Sequence, residues 1–130
     1  PQTFCHGDLT FTNIIFNKNR LYYIDFLDCF IDSFLCDLIK LKQDLYYHWS
    51  LDVQSVKSLR IRQIYSFLWE KLEQRYIEYV DTIEFNVLDI LNTLRIEPYL
   101  TNEDQRLIIK RMLKCSSLYG NVSCTDGREV

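Results

Sequence analysis

Cys5-His6-Gly7-Asp8-Leu9-Thr10-Phe11-Thr12-Asn13 and its sequel Leu21-Tyr22-Tyr23-Ile24-Asp25-Phe26 hold the main information in this chain. Between Thr12 and Ile24 lie a β-branched and aromatic run, Thr12-Asn13-Ile14-Ile15-Phe16, a polar tetrapeptide, Asn17-Lys18-Asn19-Arg20, and a second apolar run, Leu21 to Ile24. Two short strand-forming runs about a turn-forming segment predict a β-hairpin. Asn13 stands at the start of the first strand and Asp25 just past the end of the second. Antiparallel pairing therefore brings both to the same end of the hairpin, with Asp8 five residues ahead of Asn13. Gln2 to Phe4 lead directly into the loop and form at most a short strand remnant.

Outward from the hairpin the chain reads as helical. Phe26 to Asp32 is too irregular for either period. A helix is then predicted from near Ser33, with Leu38, Leu41 and Leu45 on one face and Asp37 and Asp44 interrupting it. Trp49 to Asp52 reads as a connector, with Ser50 or Asp52 a candidate N-cap. Val56, Leu59, Ile64, Phe67, Leu68, Leu72, Tyr76 and Val80 recur at steps of mostly three to five and predict one amphipathic helix over about 53–80. Ile83, Val87, Ile90, Leu91 and Leu94 predict a shorter helix, and Pro98 blocks its continuation. Thr101 with Asp104 predicts the cap of a last helix whose inward stripe is Ile108, Met112, Cys115 and Tyr119, stopping at Gly120. The expected fold class is mainly α with a small N-terminal β-hairpin, one lobe over residues 1–120. Residues 1–32 would form its loops and hairpin and 33–120 its helical part, and the polar tail 121–130 is expected to fray.

The composition narrows the function classes. At 130 residues the chain is long enough for one domain with its own core, and three Gly and two Pro in a sequence 48% hydrophobic exclude disorder. A net charge of −3 leaves no basic footprint, and the basic residues are interspersed with acids, so no nucleic-acid partner is expected. No run of eighteen apolar residues and no leader pattern occur, so no membrane partner is expected either. Five Cys, at 5, 29, 36, 115 and 124, are odd in number and lack any C-x-x-C spacing. That argues against a disulfide framework or a zinc knuckle and for free thiols in a reducing, cytoplasmic setting.

His6-Gly7-Asp8 with Asn13 five residues on, then Ile24-Asp25-Phe26, then Asp37-Leu38 opening a helix, resembles the C-terminal lobe of the aminoglycoside phosphotransferase and choline kinase-like group, relatives of the protein kinases. Three motifs in the right order over roughly residues 1–50 carry the resemblance. It implies a kinase-like α+β lobe and an ATP-dependent transfer of phosphate, with Mg2+, to a hydroxyl of a small acceptor of sugar, amino alcohol or aminoglycoside type. Such catalysis is mainly positioning and neutralisation of phosphate charge. Asp8 is implied as the base at the acceptor hydroxyl, and Asn13 and Asp25 as the amide and carboxylate ligands of magnesium, which takes oxygen donors and keeps several waters. His6 is implied as a support beneath the metal-binding loop, and Asp37 as the carboxylate tying the catalytic loop to the following helix. Asp28 either lines the acceptor site or is a loop acid in solvent. Asp32 and Asp44 read as ordinary polar positions.

The departures from the family pattern shape the expectation. Leu27 stands where many relatives have the Gly of Asp-Phe-Gly, and Ile31-Asp32-Ser33 where many have Gly-Asp-Pro. Gly7 stands where protein kinases carry Arg, which favours a small-molecule acceptor over control by loop phosphorylation. The family's nucleotide-covering lobe, with its strand lysine, has no counterpart in these residues. The chain is therefore expected to be the catalytic lobe of a longer enzyme, inactive alone and completed by an N-terminal lobe, a covering partner or self-association. The alternative is an inactive remnant serving as a binding or interaction module.

Overall fold

The computed structural model describes residues 2–29 and 31–116. As expected, the chain is mainly helical with one two-stranded antiparallel sheet near the N-terminus. β1 (Ile14–Asn17) pairs with β2 (Arg20–Tyr23) in the register Ile14↔Tyr23 to Asn17↔Arg20. Lys18 and Asn19 form the two-residue turn, both with positive φ (47° and 62°), as a turn matched to the right-handed strand twist requires. Thr12 and Asn13, expected in the strand, lie instead in a 3-10 turn over Phe11–Asn13. Asn13 N donates to Thr10 O (3.1 Å), a closure that competes with strand pairing. Ile24 N donates to Asn13 O (3.1 Å), which carries the ladder one step past β2.

Contacts divide the chain into two units, the first covering residues 1–80 and the second beginning at Asp81. In the first, α1 (Phe34–Leu45) starts at Ser33, whose Oγ accepts from Leu35 N, while Thr3 Oγ1 accepts from Phe34 N at 2.7 Å. Its apolar face buries Leu35, Leu38, Ile39 and Leu45. Trp49 to Asp52, expected as a connector, falls in the short helix α2 (Trp49–Val53), opened by His48 at φ 59°.

The single helix expected over 53–80 is broken. α3 covers Leu59–Arg75 behind an N-cap at Ser58, and α4 covers Ile77–Val80. The late start at Leu59 has local causes: Ser55 adopts positive φ, Val56 N closes onto Leu51 O (2.7 Å), and the Arg62 guanidinium holds both Asp52 and the Val56 carbonyl. The inward face of α3 also differs from expectation. Trp69 is buried, while Leu59, Ile64 and Phe67 are exposed. Apolar residues surround this helix, and the large aromatics take the core side: Tyr65 meets Phe11 edge-on at 5.1 Å and Trp69 lies 6.3 Å from Tyr46.

In the second unit, α5 (Ile83–Ile96) is capped by Thr82 Oγ1, which accepts from Phe85 N, and a 3-10 turn at Glu97–Tyr99 contains Pro98. α6 (Glu103–Cys115) is capped by Asn102 rather than Thr101. Asn102 Oδ1 accepts from Gln105 N (2.9 Å) and Gln105 Oε1 accepts from Thr101 N (2.8 Å), so Gln105 and not Asp104 completes the box. The stripe expected to face inward on α5 is turned out: Ile83, Val87, Leu91 and Leu94 are exposed. Phe85, Asp89 and Thr93, also four apart, are buried. The full burial of Phe85 and the bond from Ser116 Oγ to Asp89 Oδ2 (2.9 Å) set this rotation. On α6, Ile109 and Met112 are buried while Ile108 and Cys115 are partly exposed, so the stripe is shifted by one residue.

Tyr119, Gly120 and the tail lie outside the described residues. Cys5, Cys29 and Cys36 are free thiols, as expected of them. Among the described residues no helix is long and apolar enough to cross a membrane.

Candidate active site

The loop before the hairpin is held by its backbone. His6 N donates to Asp37 Oδ2 (2.7 Å) and Gly7 N to Asp37 Oδ1 (3.0 Å), so one carboxylate on the first turn of α1 accepts two consecutive amides. His6 O accepts from Leu27 N (3.0 Å), which brings the stretch after β2 against the loop. Gly7 has φ +83°, and a Cβ there would stand 2.0 Å from Leu27 O, so both conformation and space demand glycine. His6 is buried, stacks on Phe26 at 4.2 Å, and its Nδ1 accepts from Asp8 N (3.3 Å). That bond puts the ring proton on Nε2, which is buried without a protein partner.

Asp8 and Asn13 are bonded to each other ahead of β1, and Asp25 follows β2 at the same end of the hairpin. Asn13 Nδ2 donates to Asp8 O (2.9 Å) and Asp8 Oδ2 (3.3 Å), which commits the amide nitrogen and leaves Oδ1 as the outward donor atom. Asp25 follows directly on Ile24, the residue bonded to Asn13 O, and sits at φ +59° with its side chain exposed. Left-handed backbone in a non-glycine residue is a local strain of the kind found at functional sites, and Asp tolerates it better than most.

An amide oxygen and an unpaired carboxylate fit a hard cation that prefers oxygen and keeps water. Among the described residues no group of three or more His, Cys, Asp or Glu could hold a metal, so a cation here would complete its shell from phosphate and water. Asp28 is exposed after the hairpin. Asp32 is exposed and contributes only its carbonyl, to Thr3 N.

Two residues of α1 join the site that sequence reasoning passed over. Asp44, taken as an ordinary polar position, is 1% exposed; its Oδ2 accepts from Phe11 N (2.7 Å) and its Oδ1 from Ser50 N (3.3 Å). Burial pushes its carboxyl above the usual carboxylate range, opposed by the bonds from Phe11 and Ser50 and by the charge of Lys40. Burial and then the charge of Asp44 push the Tyr65 phenol up as well. Lys40, 6% exposed, places its Nζ 3.0 Å from Asp8 Oδ1. The available signal was the spacing of Asp37, Lys40 and Asp44, three charges at i, i+3 and i+7 on one stripe of the helix.

Compared with known proteins, residues 1–75 match the model of a phosphotransferase enzyme family. No curated protein and no solved structure matches the chain. The matched segment runs from the loop through the hairpin to the last residue of α3 and covers more than half of the sequence. Asp8, Asn13 and Asp25 all lie inside it, and the chain belongs to the phosphotransferase enzyme family.

Proposed function

We propose that the chain carries the catalytic-loop side of an ATP-dependent phosphotransferase site, acting on a hydroxyl of a small molecule of sugar, amino alcohol or aminoglycoside type. The observation that supports this reading is the bonding of Asn13, to Asp8 through its side chain and to Ile24, the residue before Asp25, through its backbone. Asp8 is the base: its carboxylate orients the acceptor hydroxyl and takes its proton as the oxygen attacks. Asn13 Oδ1 and the Asp25 carboxylate hold magnesium. The ion, when bound with ATP, neutralises phosphate charge. His6 and Asp37 support the loop, and Asp28 lines the acceptor side. The exposed apolar residues of this unit, among them Phe4, Phe16, Phe26 and Leu27, support a second lobe covering the face, which would form the other wall of the nucleotide cleft.

The test is ATP turnover by the natural full-length protein with choline, ethanolamine, a hexose and kanamycin as acceptors. Turnover on one of them is expected, and Asp8→Ala or Asp25→Ala should each lower it by about 10²-fold or more. Activity surviving in the Asp8→Ala, Asp25→Ala double variant would sink the assignment. A fully folded protein that turns over no ATP would favour an interaction module instead.

A further inference from the structure

The charged stripe of α1 meets the loop at successive points. Asp37 takes the amides of His6 and Gly7, Asp44 takes the amide of Phe11, and Lys40, between them on the helix, reaches the Asp8 side chain. Burying an ammonium to 6% exposure is costly unless it is paired and hydrogen-bonded. The Asp8 carboxylate supplies that pairing at 3.0 Å, and the charge of Lys40 also acts on Asp44. Asp8 is thus held from two sides, Oδ1 by Lys40 and Oδ2 by the Asn13 amide at 3.3 Å, with its side chain 26% exposed. A carboxylate fixed at both oxygens cannot rotate freely, so the direction of its remaining lone pairs is set by α1.

We propose that Lys40 is the positioning residue for Asp8, and that Asp37, Lys40 and Asp44 act as one unit in which the two carboxylates fix the loop backbone and the lysine fixes its reactive side chain. The proposal rests on the reading of Asp8 as the base. Lys40 then contributes to the rate through Asp8 and not through nucleotide affinity. Misplacement of a reacting group by about 1 Å costs up to about 100-fold.

Two measurements test this. In the full-length protein, with the acceptor found productive in the panel above, Lys40→Met is expected to lower kcat about 10- to 100-fold with KM for ATP within about twofold, and Lys40→Arg to recover part of the loss. Because Lys40 acts through Asp8, Lys40→Met should cost little further in an Asp8→Asn background. Unchanged kcat, or a raised KM for ATP at unchanged kcat, overturns the proposal. Turnover that survives Asp8→Asn instead overturns the reading of Asp8 on which it rests.

The second measurement needs no activity. In urea unfolding of the 130-residue chain, Asp8→Asn, Lys40→Gln and the double variant should be non-additive, by at least about fivefold in the unfolding constant. Additive effects overturn the pairing, whatever the kinetics. Lys40→Gln keeps an amide donor in place of the charge and serves where Lys40→Met does not fold.

Discussion

Replacing Gly7 with alanine tests how closely the loop and the stretch after β2 are fitted together. The added Cβ would lie 2.0 Å from the Leu27 carbonyl oxygen and 2.9 Å from its carbon, both backbone atoms that no side-chain rotation can move aside. Relief requires a shift of about 1 Å, since real Cβ contacts start near 3 Å. That shift acts on the segment whose amide donates to His6 O at 3.0 Å. A non-glycine residue at φ +83° adds roughly 1–2 kcal/mol, and loss of the Leu27 to His6 bond roughly 0.5–1.5 kcal/mol. The expected destabilisation is therefore about 1.5–3.5 kcal/mol, a large share of the roughly 5–15 kcal/mol typical of a domain. With a urea dependence of about 1–3 kcal/mol per molar, the unfolding midpoint should fall by on the order of 1–2 M. Urea unfolding followed by tryptophan fluorescence measures it, since Trp69 is buried in the same unit. A change below about 0.5 kcal/mol, the range of an ordinary surface substitution, would refute the packing argument.

Two further outcomes follow from the same structure. Burial raises the Asp44 carboxyl in the folded chain above its unfolded value of about 3.9, so its contribution to stability is present below about pH 4 and is lost as pH rises through the folded value. Asp44→Asn keeps an oxygen for Phe11 N without the charge, so the stability of the parent relative to this variant should fall as pH rises above about 4 in urea unfolding. A difference that is flat or rises with pH would contradict the assignment. In the hairpin, Lys18 at φ 47° and Asn19 at φ 62° occupy the positions where Asn-Gly is preferred. Lys18→Asn with Asn19→Gly should stabilise β1 and β2 by on the order of 0.5 kcal/mol in native-state hydrogen exchange, and faster exchange of the strand amides would count against the turn geometry.

The readable part of this fold was the part with only one way to satisfy its pattern. The hairpin was legible because two strand-forming runs flank a polar tetrapeptide, whose middle pair, Lys18 and Asn19, makes the turn. Asn13 and Asp25 followed from pairing alone, although Asn13 itself sits in a 3-10 turn. The helices were legible as helices, but their faces were not. On α5 the set Ile83, Val87, Leu91 and the set Phe85, Asp89, Thr93 have the same spacing of four and lie on different sides. Hydrophobicity favours the first, yet the second is buried, because a fully enclosed Phe85 and the bond between Ser116 and Asp89 outweigh three aliphatics left in solvent. That bond spans 27 residues, so no window of local periodicity contains it.

The same limit hid half of the candidate site, and it suggests a better question to ask of a sequence. Asp37 and Asp44 looked like interruptions of the Leu38, Leu41, Leu45 face, and only Asp37 was given a role, by the family resemblance, because a periodicity reading treats every charge on a helix as facing water. The loop ahead of the hairpin, however, presents the amides of His6, Gly7 and Phe11 with no strand or helix to receive them. Buried backbone donors require acceptors. Asp37 and Asp44 are two turns apart, about 10 Å along the helix, which suits a carboxylate at each end of a loop that runs beside it. Asking where the loop's donors go would have turned Asp44 from an interruption into a required acceptor. Lys40, midway between the two carboxylates, would then have had Asp8 as the acid facing it from the loop they hold.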